Sequence, residues 1–232
     1  MTYAIHADGL TKRYADTLAI QSLDLQVRTG EVFGFVGPNG AGKSTTIALI
    51  LGFRRPTAGT VKVLDRPPSD AIVLRKRVGV LPEDCGLFSR LTGEDHLAFL
   101  IDAHDSGEDP RTLLARVGLA GDGTRRVGGY STGMAQRLRL AMALIGGPDL
   151  LVLDEPAAGL DPEGITRLRE IIEEERDRGT TVFFSSHHLD DVAAVSDRVG
   201  FLIGGRLSDI IDSDASTDEL ANRFTALIRE DR

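Results

Sequence analysis

The sequence has one cysteine, no tryptophan and few aromatic residues, which make up 5% of the chain. A single cysteine, Cys85, has no partner for an internal disulfide, so a disulfide-stabilised secreted scaffold is excluded and we expect a reducing cytoplasm. Long apolar runs are also missing, and none approaches the ~20 residues that a membrane-spanning helix needs. Residues 1–6 lack the basic and apolar regions of a secretory signal. If the protein works at a membrane, we expect another chain to supply the span.

An excess of basic residues is missing too. The chain has 27 Lys and Arg against 35 Asp and Glu, which gives a net charge of −8. This balance disfavours a surface that coats nucleic acid, and we expect no nucleic-acid partner. The 41% of hydrophobic residues is ordinary for a globular protein, and 232 residues suffice for one large domain or for a core with a subdomain.

A glycine-rich stretch, residues 37–44, carries the clearest chemistry. It fits the phosphate-binding pattern G-x-x-x-x-G-K-[ST], after an apolar run at 32–36 and before an apolar helical pattern. Free N–H groups at the start of that helix would point at a polyphosphate. Lys43 would reach the β- and γ-phosphates, and the Ser44 hydroxyl would bind Mg²⁺. The alternative is a chance glycine turn before a surface helix; the strand-loop-helix context favours a nucleoside triphosphate site.

A second apolar run, residues 150–153, ends in two adjacent acids, Asp154 and Glu155. The carboxyl ends of parallel strands lie where doubly wound folds bind ligands. Because side chains alternate along a strand, the two carboxylates should point in different directions and serve different roles. A later apolar run is followed by His187 and His188, and either is a candidate polar catalyst.

The rest of the chain divides by pattern. Residues 3–35 and 60–81 read as short strands with turns, whereas residues from about 83 to 147 change to helical spacing and predict a helical insertion. Ser131 precedes a helix as a good N-cap, and Ser216 opens a capping box before an amphipathic helix.

Two further features have alternative explanations. Tyr14 lies between two predicted strands, where an aromatic usually packs on a core or an edge, although beside a nucleotide loop it becomes a candidate for stacking on a base. Apolar residues at 165, 168, 171 and 172 predict one face of a helix, and we interpret its other face, with Glu173, Glu174, Arg176 and Asp177, as solvated.

Taken together, these motifs resemble the nucleotide-binding subunit of an ABC transporter over essentially the whole chain. The P-loop is followed by residues 130–137, which resemble the LSGGQ signature, and these lie just ahead of the acidic strand end. Residues 158–161 are similar to the D-loop of the family, and residues 185–187 resemble its switch-histidine segment. A lone P-loop is shared by many NTPases, whereas this ordered series is specific.

The resemblance implies an α/β fold with a P-loop NTPase (RecA-like) core, an N-terminal antiparallel β subdomain and an inserted helical subdomain. Residues 1–232 would form a single ABC ATPase domain. About 1–82 and 148–232 would make up the β and catalytic core, and about 83–147 the helical subdomain with the signature segment.

The resemblance also implies the residues of an ATP and Mg²⁺ site. An aromatic that stacks on adenine and the phosphate loop would bind ATP: Tyr14, Gly37, Pro38, Asn39, Gly40, Ala41, Gly42, Lys43, Ser44 and Thr45. Mg²⁺ would be held by Ser44, Asp154 and Glu83. Glu155 would be the general base that orients the attacking water, and His187 the γ-phosphate switch.

Further residues would act between two subunits. The signature residues would contact the ATP of the partner: Ser131, Thr132, Gly133 and Met134. Asp161 would carry communication across the dimer. The partner would be a second copy of this chain or a homologous ATPase.

The sequence departs from the family pattern at two places. Glu83 replaces the usual Q-loop glutamine, and the signature has Tyr130, Thr132 and Met134 where LSGGQ has Leu, Gly and Gln. Both departures resemble the branch that serves drug, antibiotic and sodium exporters, which favours export.

The expected function is therefore ATP hydrolysis that powers transport through a separate integral membrane permease, with this chain peripheral on the cytoplasmic side of the cell membrane. The identity of the substrate belongs to the permease. Rival interpretations are a soluble ABC ATPase that drives assembly or remodelling, a chromosome-maintenance or DNA-repair ABC ATPase, and a standalone P-loop kinase or GTPase.

Overall fold

A computed structural model describes residues 2–83, 86–212 and 216–230, and the expectation about Cys85 lies outside these residues. The strands are β1 (Tyr3–Tyr14), β2 (Thr17–Arg28), β3 (Val32–Val36), β4 (Ala58–Val63), β5 (Val78–Leu81), β6 (Leu150–Asp154), β7 (Thr181–Ser186), β8 (Arg198–Ile203) and β9 (Arg206–Asp212). The helices are α1 (Lys43–Ile50), α2 (Ala71–Leu74), α3 (Gly93–His104), α4 (Pro110–Arg116), α5 (Thr132–Ala143), α6 (Pro162–Asp177), α7 (Leu189–Ala193) and α8 (Thr217–Glu230), with a 3₁₀ turn at Val127–Gly129.

The larger sheet positions the site. Its strand order is β5-β6-β7-β3-β8-β9, and only the last pair is antiparallel among the described strands. Strands β3, β6 and β7 are buried along their whole lengths, as the apolar runs predict. In the register, Asp154 lies opposite Ser185, and Val36 lies opposite Ser186. The P-loop, the acids and the two histidines therefore leave neighbouring strands at the same edge.

The smaller sheet, in the order β2-β1-β4, is antiparallel. Its first two strands are 12 residues each, so the expectation of short strands in this region is wrong in length. Register shifts between Ala7 and Leu10 and again near Lys12 interrupt the alternation of apolar residues, which makes one long strand look like several short ones.

Two apolar clusters lie on opposite faces of the large sheet. One joins it to α1 and the small sheet through Phe33, Phe35 and Ile47. The other extends from Val182 and Leu153 into the helical part of the chain. This arrangement supports an α/β core that carries an antiparallel β unit on one side.

Between residues 86 and 147 the described chain contains helices and no strand, as the change in spacing predicts. Helix α5 begins after Ser131, and α8 begins with the expected box, in which Ser216 and Glu219 exchange hydrogen bonds. The sequence did not indicate α2 and α7, because helices of four and five residues are too short to show a period. No helix in the described ranges is long and apolar enough to cross a membrane.

The charged run that follows the buried face of α6 is not simply solvated. Glu174 lies 3.0 Å from Arg116 on α4 and 3.2 Å from Arg167. Its neighbour Glu175 is buried, with its carboxylate 2.8 Å from Arg116 and 2.7 Å from Arg178. Of the four residues predicted on a solvated face, Glu173 and Asp177 are exposed, whereas Glu174 and Arg176 are only partly exposed, and the buried Glu175 was not part of that prediction.

Candidate functional site

The loop between β3 and α1 has a backbone that requires glycine. Gly40 and Gly42 have φ angles of 81° and 109°, in the left-handed region. A Cβ on Gly42 would lie 2.8 Å from the Ala19 carbonyl oxygen, and one on Gly37 would lie 2.4 Å from the Leu202 carbonyl oxygen. Gly42 immediately precedes α1, so the loop leads into the first free N–H groups of that helix.

This loop forms one wall of an open cavity of about 540 Å³. The lining residues come from the start of β2, the P-loop and the start of α1, the segment after β5, the residue after β6 and the β8–β9 turn: Thr17, Leu18, Ala19, Asn39, Gly40, Gly42, Lys43, Ser44, Thr45, Glu83, Glu155, Gly204 and Gly205. The structure thus brings the predicted phosphate loop together with Glu83 and Glu155. A cavity of this size and polarity has room for the phosphates of a nucleotide.

Lys43 lies at the centre of the ionic contacts. Its side chain is buried, and Nζ donates to the Gly37 carbonyl at 2.8 Å. The same nitrogen lies 3.3 Å from Oε1 of Glu155. The carboxylate of Glu155 is therefore the anion that faces Lys43 here.

Glu155 makes a second contact through its other oxygen, since Oε2 lies 2.9 Å from Nδ1 of His187. Its backbone has a φ of 49°, which is uncommon for a non-glycine residue and turns the carboxylate into the site. Its N–H donates to Oγ of Ser185 at 3.1 Å. Of the two histidines, the structure places His187 against this carboxylate, although His188 lies close behind with a centroid separation of 3.9 Å.

Asp154 has other partners than Glu155. Its side chain is buried, and Oδ1 accepts from Oγ of Ser185 at 2.5 Å. Burial raises the pKa of the Asp154 carboxyl, and the hydrogen bonds from Ser185 and Ser44 oppose that rise. The negative charges of Glu83 and Glu155 raise the pKa further.

Ser44, Asp154 and Glu83 offer oxygen donors around one point. The Ser44 hydroxyl donates to Oε2 of Glu83 at 3.2 Å, and its proximity to the Asp154 carboxyl lowers the pKa of that group. Hydroxyl and carboxylate oxygens are donors that suit Mg²⁺. No group of three or more His, Cys, Asp or Glu in the described ranges is arranged to hold a metal ion by itself. A cation here would therefore depend on the serine and on phosphate oxygens as well.

Tyr14 lies at the end of β1 and is 40% exposed, which does not match a core-packing role. It pairs with Thr17, which lines the cavity, and Nζ of Lys12 lies 4.9 Å from the centroid of its ring. The ring thus lies near the rim of the site, with the Lys12 ammonium over one of its faces.

The signature-like residues lie elsewhere on the molecule. Ser131 caps α5 by accepting from the N–H of Met134 at 3.2 Å, and both Ser131 and Thr132 are exposed. None of the four predicted signature residues lines the cavity described above. A Cβ on Gly133 would lie 3.1 Å from the Gly159 carbonyl, so this segment packs against residues 158–161.

Asp161 is the N-cap residue of α6. Its carboxylate caps α6 by accepting from the N–H of Gly164 at 2.9 Å. The D-loop-like segment is thereby tied to the start of α6.

Two functional contacts were missed from the sequence. Ser185 donates a hydrogen bond to Asp154 and accepts one from the N–H of Glu155. The sequence signal for this contact was that Ser185 follows one apolar run as Asp154 follows another, so that the two residues end neighbouring strands. Gln136 is buried and donates to the Pro156 carbonyl at 3.2 Å, which links α5 to the turn after the acids. Gln136 lies in the signature-like segment 130–137, but no sequence pattern indicates its partner, which is 20 residues away.

Comparison with known proteins agrees with this geometry. The model of the ABC transporter family matches residues 20–158. A fluoroquinolones export ATP-binding protein of Mycobacterium tuberculosis is 40% identical over 210 residues, which cover 89% of this chain and 70% of the relative. A bacitracin transport ATP-binding protein of Bacillus licheniformis is 37% identical over 221 residues, with coverage of 92% and 71%.

Solved structures with the same fold include an ATP-binding subunit of an ABC transporter, with a TM-score of 0.86 and 28% identity over 97% of this chain and 100% of that one. A dimeric ATP-binding cassette in a post-hydrolysis state with ADP and Pi has a TM-score of 0.81, and it shares 21% identity over 91% of this chain and 100% of its own. This chain therefore belongs to the ABC transporter family, in which it is an ATP-binding subunit and an ATPase.

Proposed function

We propose that this chain pairs with a second copy of itself, or with a homologous ATPase, around two Mg²⁺-bound ATP molecules and powers export through a separate integral membrane permease. The observation that carries the proposal is the cavity in which Lys43, Ser44, Glu83 and Glu155 meet. The direction of transport is supported by the relatives named for fluoroquinolone export and bacitracin transport. The chain would sit peripherally on the cytoplasmic side of the cell membrane.

In the proposed site the phosphates of ATP take the place of Glu155 as the anion beside Lys43, since Lys43 and Glu155 both line the cavity and face each other at 3.3 Å. Glu155, once released, orients the attacking water as general base, and His187 on its other side senses the γ-phosphate. Tyr14 stacks on adenine at the rim.

Ser44, Asp154 and Glu83 would hold Mg²⁺, which would neutralise charge on the phosphates. Catalysis by this chain is then mostly positioning and electrostatics. The left-handed backbone at Glu155 fixes where the base stands.

The signature segment would serve the ATP of the partner subunit. Ser131, Thr132, Gly133 and Met134 lie at the start of α5, where free N–H groups favour an anion. Asp161, in the segment packed against Gly133, would transmit the state of one site to the other. In this arrangement residues of about 1–82 and 148–232 act as the catalytic core of a single domain, and residues of about 83–147 as its helical subdomain.

An apolar cavity of about 330 Å³ between α2, α3 and α5 supports a permease partner. Phe53 lines it, and the side chains of Phe53, Ile72 and Phe99 are more than half exposed. Large exposed apolar side chains around a groove mark an interaction surface. We assign it to a cytoplasmic helix of the permease, because the family is one of transporters.

Co-reconstitution tests the proposal. The tagged chain, purified from detergent-solubilised native membranes, should bring with it an integral membrane protein, and vesicles with both should accumulate substrate only with hydrolysable ATP. Phe53→Asp with Phe99→Asp should bind ATP normally but lose the membrane protein, whereas Lys43→Ala should keep the membrane protein and lose transport. Recovery of the chain only in soluble assemblies, with no membrane protein in any detergent, would contradict the proposal.

A further inference from the structure

A buried histidine on α3 holds the stretch of residues 86–91. His96 is 5% exposed, and its Nε2 accepts from the N–H of Phe88 at 2.9 Å. Its Nδ1 lies 2.8 Å from the carbonyl oxygen of Thr92. A carbonyl can only accept, so Nδ1 carries the proton, and a nitrogen that receives an N–H carries none. The two contacts together select the neutral Nδ1–H tautomer.

The opposite side of the same segment is bound to the loop before the signature. The Ser89 carbonyl accepts from the N–H of Gly128, and the Leu91 carbonyl accepts from the N–H of Val127, each at 2.9 Å. Contact with the 3₁₀ turn is close, since a Cβ on Gly128 would lie 2.9 Å from the Ser89 carbonyl oxygen. Ser131 follows the turn by two residues and caps the N-terminus of α5.

Residues 86–91 therefore lie between Glu83 and the turn that precedes the signature segment. Glu83, which lines the ATP cavity, is three residues ahead of them, and the turn that they hold leads into Ser131. The Phe88 ring stacks on His96 with a centroid separation of 6.0 Å. The ring is largely exposed, so its packing contributes little to holding Phe88 in place. The hydrogen bond from its N–H is a specific restraint on this part of the segment.

We propose that His96 is a positioning residue which, by holding residues 86–91, sets the signature segment at Ser131 relative to Glu83. The inference rests on the proposed function in one respect, namely that Glu83 serves the ATP of its own subunit and Ser131 that of the partner. His96 touches neither nucleotide. It acts on closure of the paired subunits and on turnover, and it leaves the affinity of a single subunit for ATP unchanged.

Two substitutions separate positioning from packing. His96→Gln keeps a side-chain acceptor that can reach the Phe88 N–H, and His96→Leu removes it while filling the space. His6→Leu is the matched control, because His6 is exposed on β1, away from this segment. Nitrogen-15 spectra of histidine-labelled protein should show His96 with a protonated Nδ1 and an unprotonated Nε2.

Amide exchange at Phe88 measures the restraint itself. His96→Leu should speed this exchange by about 3- to 10-fold, as expected for the loss of one hydrogen bond, whereas His96→Gln and His6→Leu should stay within about twofold of the wild type. ATP affinity should be equal in all four proteins. Steady-state turnover should fall by about 10-fold in His96→Leu and recover in His96→Gln.

Three results would overturn the inference. The first is an Nε2–H tautomer of His96, and the second is unchanged Phe88 amide exchange or unchanged turnover in His96→Leu. The third is an equal loss of turnover in His96→Leu and His96→Gln, which would show that His96 acts by packing alone. A wild-type chain without ATP turnover would instead refute the proposed function, while the tautomer and the exchange rates would still decide the role of His96.

Discussion

Replacing Glu155 by Gln tests the proposed chemistry most directly. One oxygen of Glu155 lies 3.3 Å from Nζ of Lys43 and the other lies 2.9 Å from Nδ1 of His187. The amide keeps the size of the side chain and much of its hydrogen bonding, but it cannot act as a base. Loss of a positioned general base costs ~10²–10⁴-fold in rate. We expect the turnover of the variant to fall within that range.

Binding should move in the opposite direction. In the wild type, ATP has to displace the Glu155 carboxylate from Lys43 and then lie beside its charge. Coulomb's law at an effective dielectric constant of about 20 gives roughly 3 kcal/mol for two unit charges about 5 Å apart. Screening by solvent and by the metal reduces this figure, so we expect ATP to bind up to about 10-fold more tightly, which corresponds to about 1.4 kcal/mol.

The assay combines single-turnover hydrolysis, calorimetric ATP titration and light scattering, which detects a closed dimer. Glu155→Gln should form a stable ATP-bound dimer that hydrolyses very slowly. Glu83→Gln is the matched control, because Glu83 is the other carboxylate in the cavity and stands 3.2 Å from Ser44. Wild-type hydrolysis in Glu155→Gln would refute the assignment of the base. Residual hydrolysis that disappears only in Glu83→Gln would transfer the role to Glu83.

The remaining predictions concern the other parts of the site. Lys43→Ala should weaken ATP binding by about 1.5–3 kcal/mol through loss of a charge-assisted hydrogen bond, and calorimetry that shows unchanged affinity would remove the P-loop from the mechanism. Tyr14→Ala should weaken ATP binding by ~1–3 kcal/mol if the ring stacks on the base, whereas a lower melting temperature at unchanged affinity would indicate packing. Ser131→Arg should still bind ATP as a single subunit but form no ATP-dependent dimer, and normal dimers in light scattering would contradict a role at the partner's site. Burial raises the pKa of Asp154 above its ordinary 3.8, so the folded chain keeps a proton that the unfolded chain releases, and stability falls as pH rises through that window. Asp154→Asn should therefore raise the melting temperature at pH 7 and flatten its acid dependence in scanning calorimetry, and a lower melting temperature would show that the carboxylate stabilises the fold.

Much of the site could be predicted because its determinants are local in sequence. The phosphate loop is a run of consecutive residues, and its glycines are required by contacts such as the close approach of Gly37 to Leu202. The acids at the end of β6 could be placed as well, since ends of neighbouring parallel strands meet at one edge. The fold class was implied by the resemblance of the ordered motifs to the ABC family.

The parts that could not be predicted depend on register or on distant partners. The contact between Ser185 and Asp154 exists because β6 and β7 are aligned at those residues, which no local pattern specifies. The lengths of β1 and β2 were underestimated because irregular pairing breaks the period of two. The tautomer of His96 follows only from the positions of Phe88 and Thr92.

The charged end of α6 shows why distance matters. On the helix alone, Glu174 and Glu175 belong to a run of charges, and a run of charges usually faces water. Arg116 pairs with both Glu174 and Glu175, although it is 58 residues away from Glu174 in the chain. Nε of Arg167 also donates to the carbonyl of Arg116 at 2.6 Å. A carboxylate as buried as Glu175 is tolerated only with such partners, since breaking a buried pair leaves an uncompensated charge and costs about 3–5 kcal/mol. The ion pairs and the hydrogen bond from Arg167 therefore tie α4, in the helical part of the chain, to α6, which follows β6.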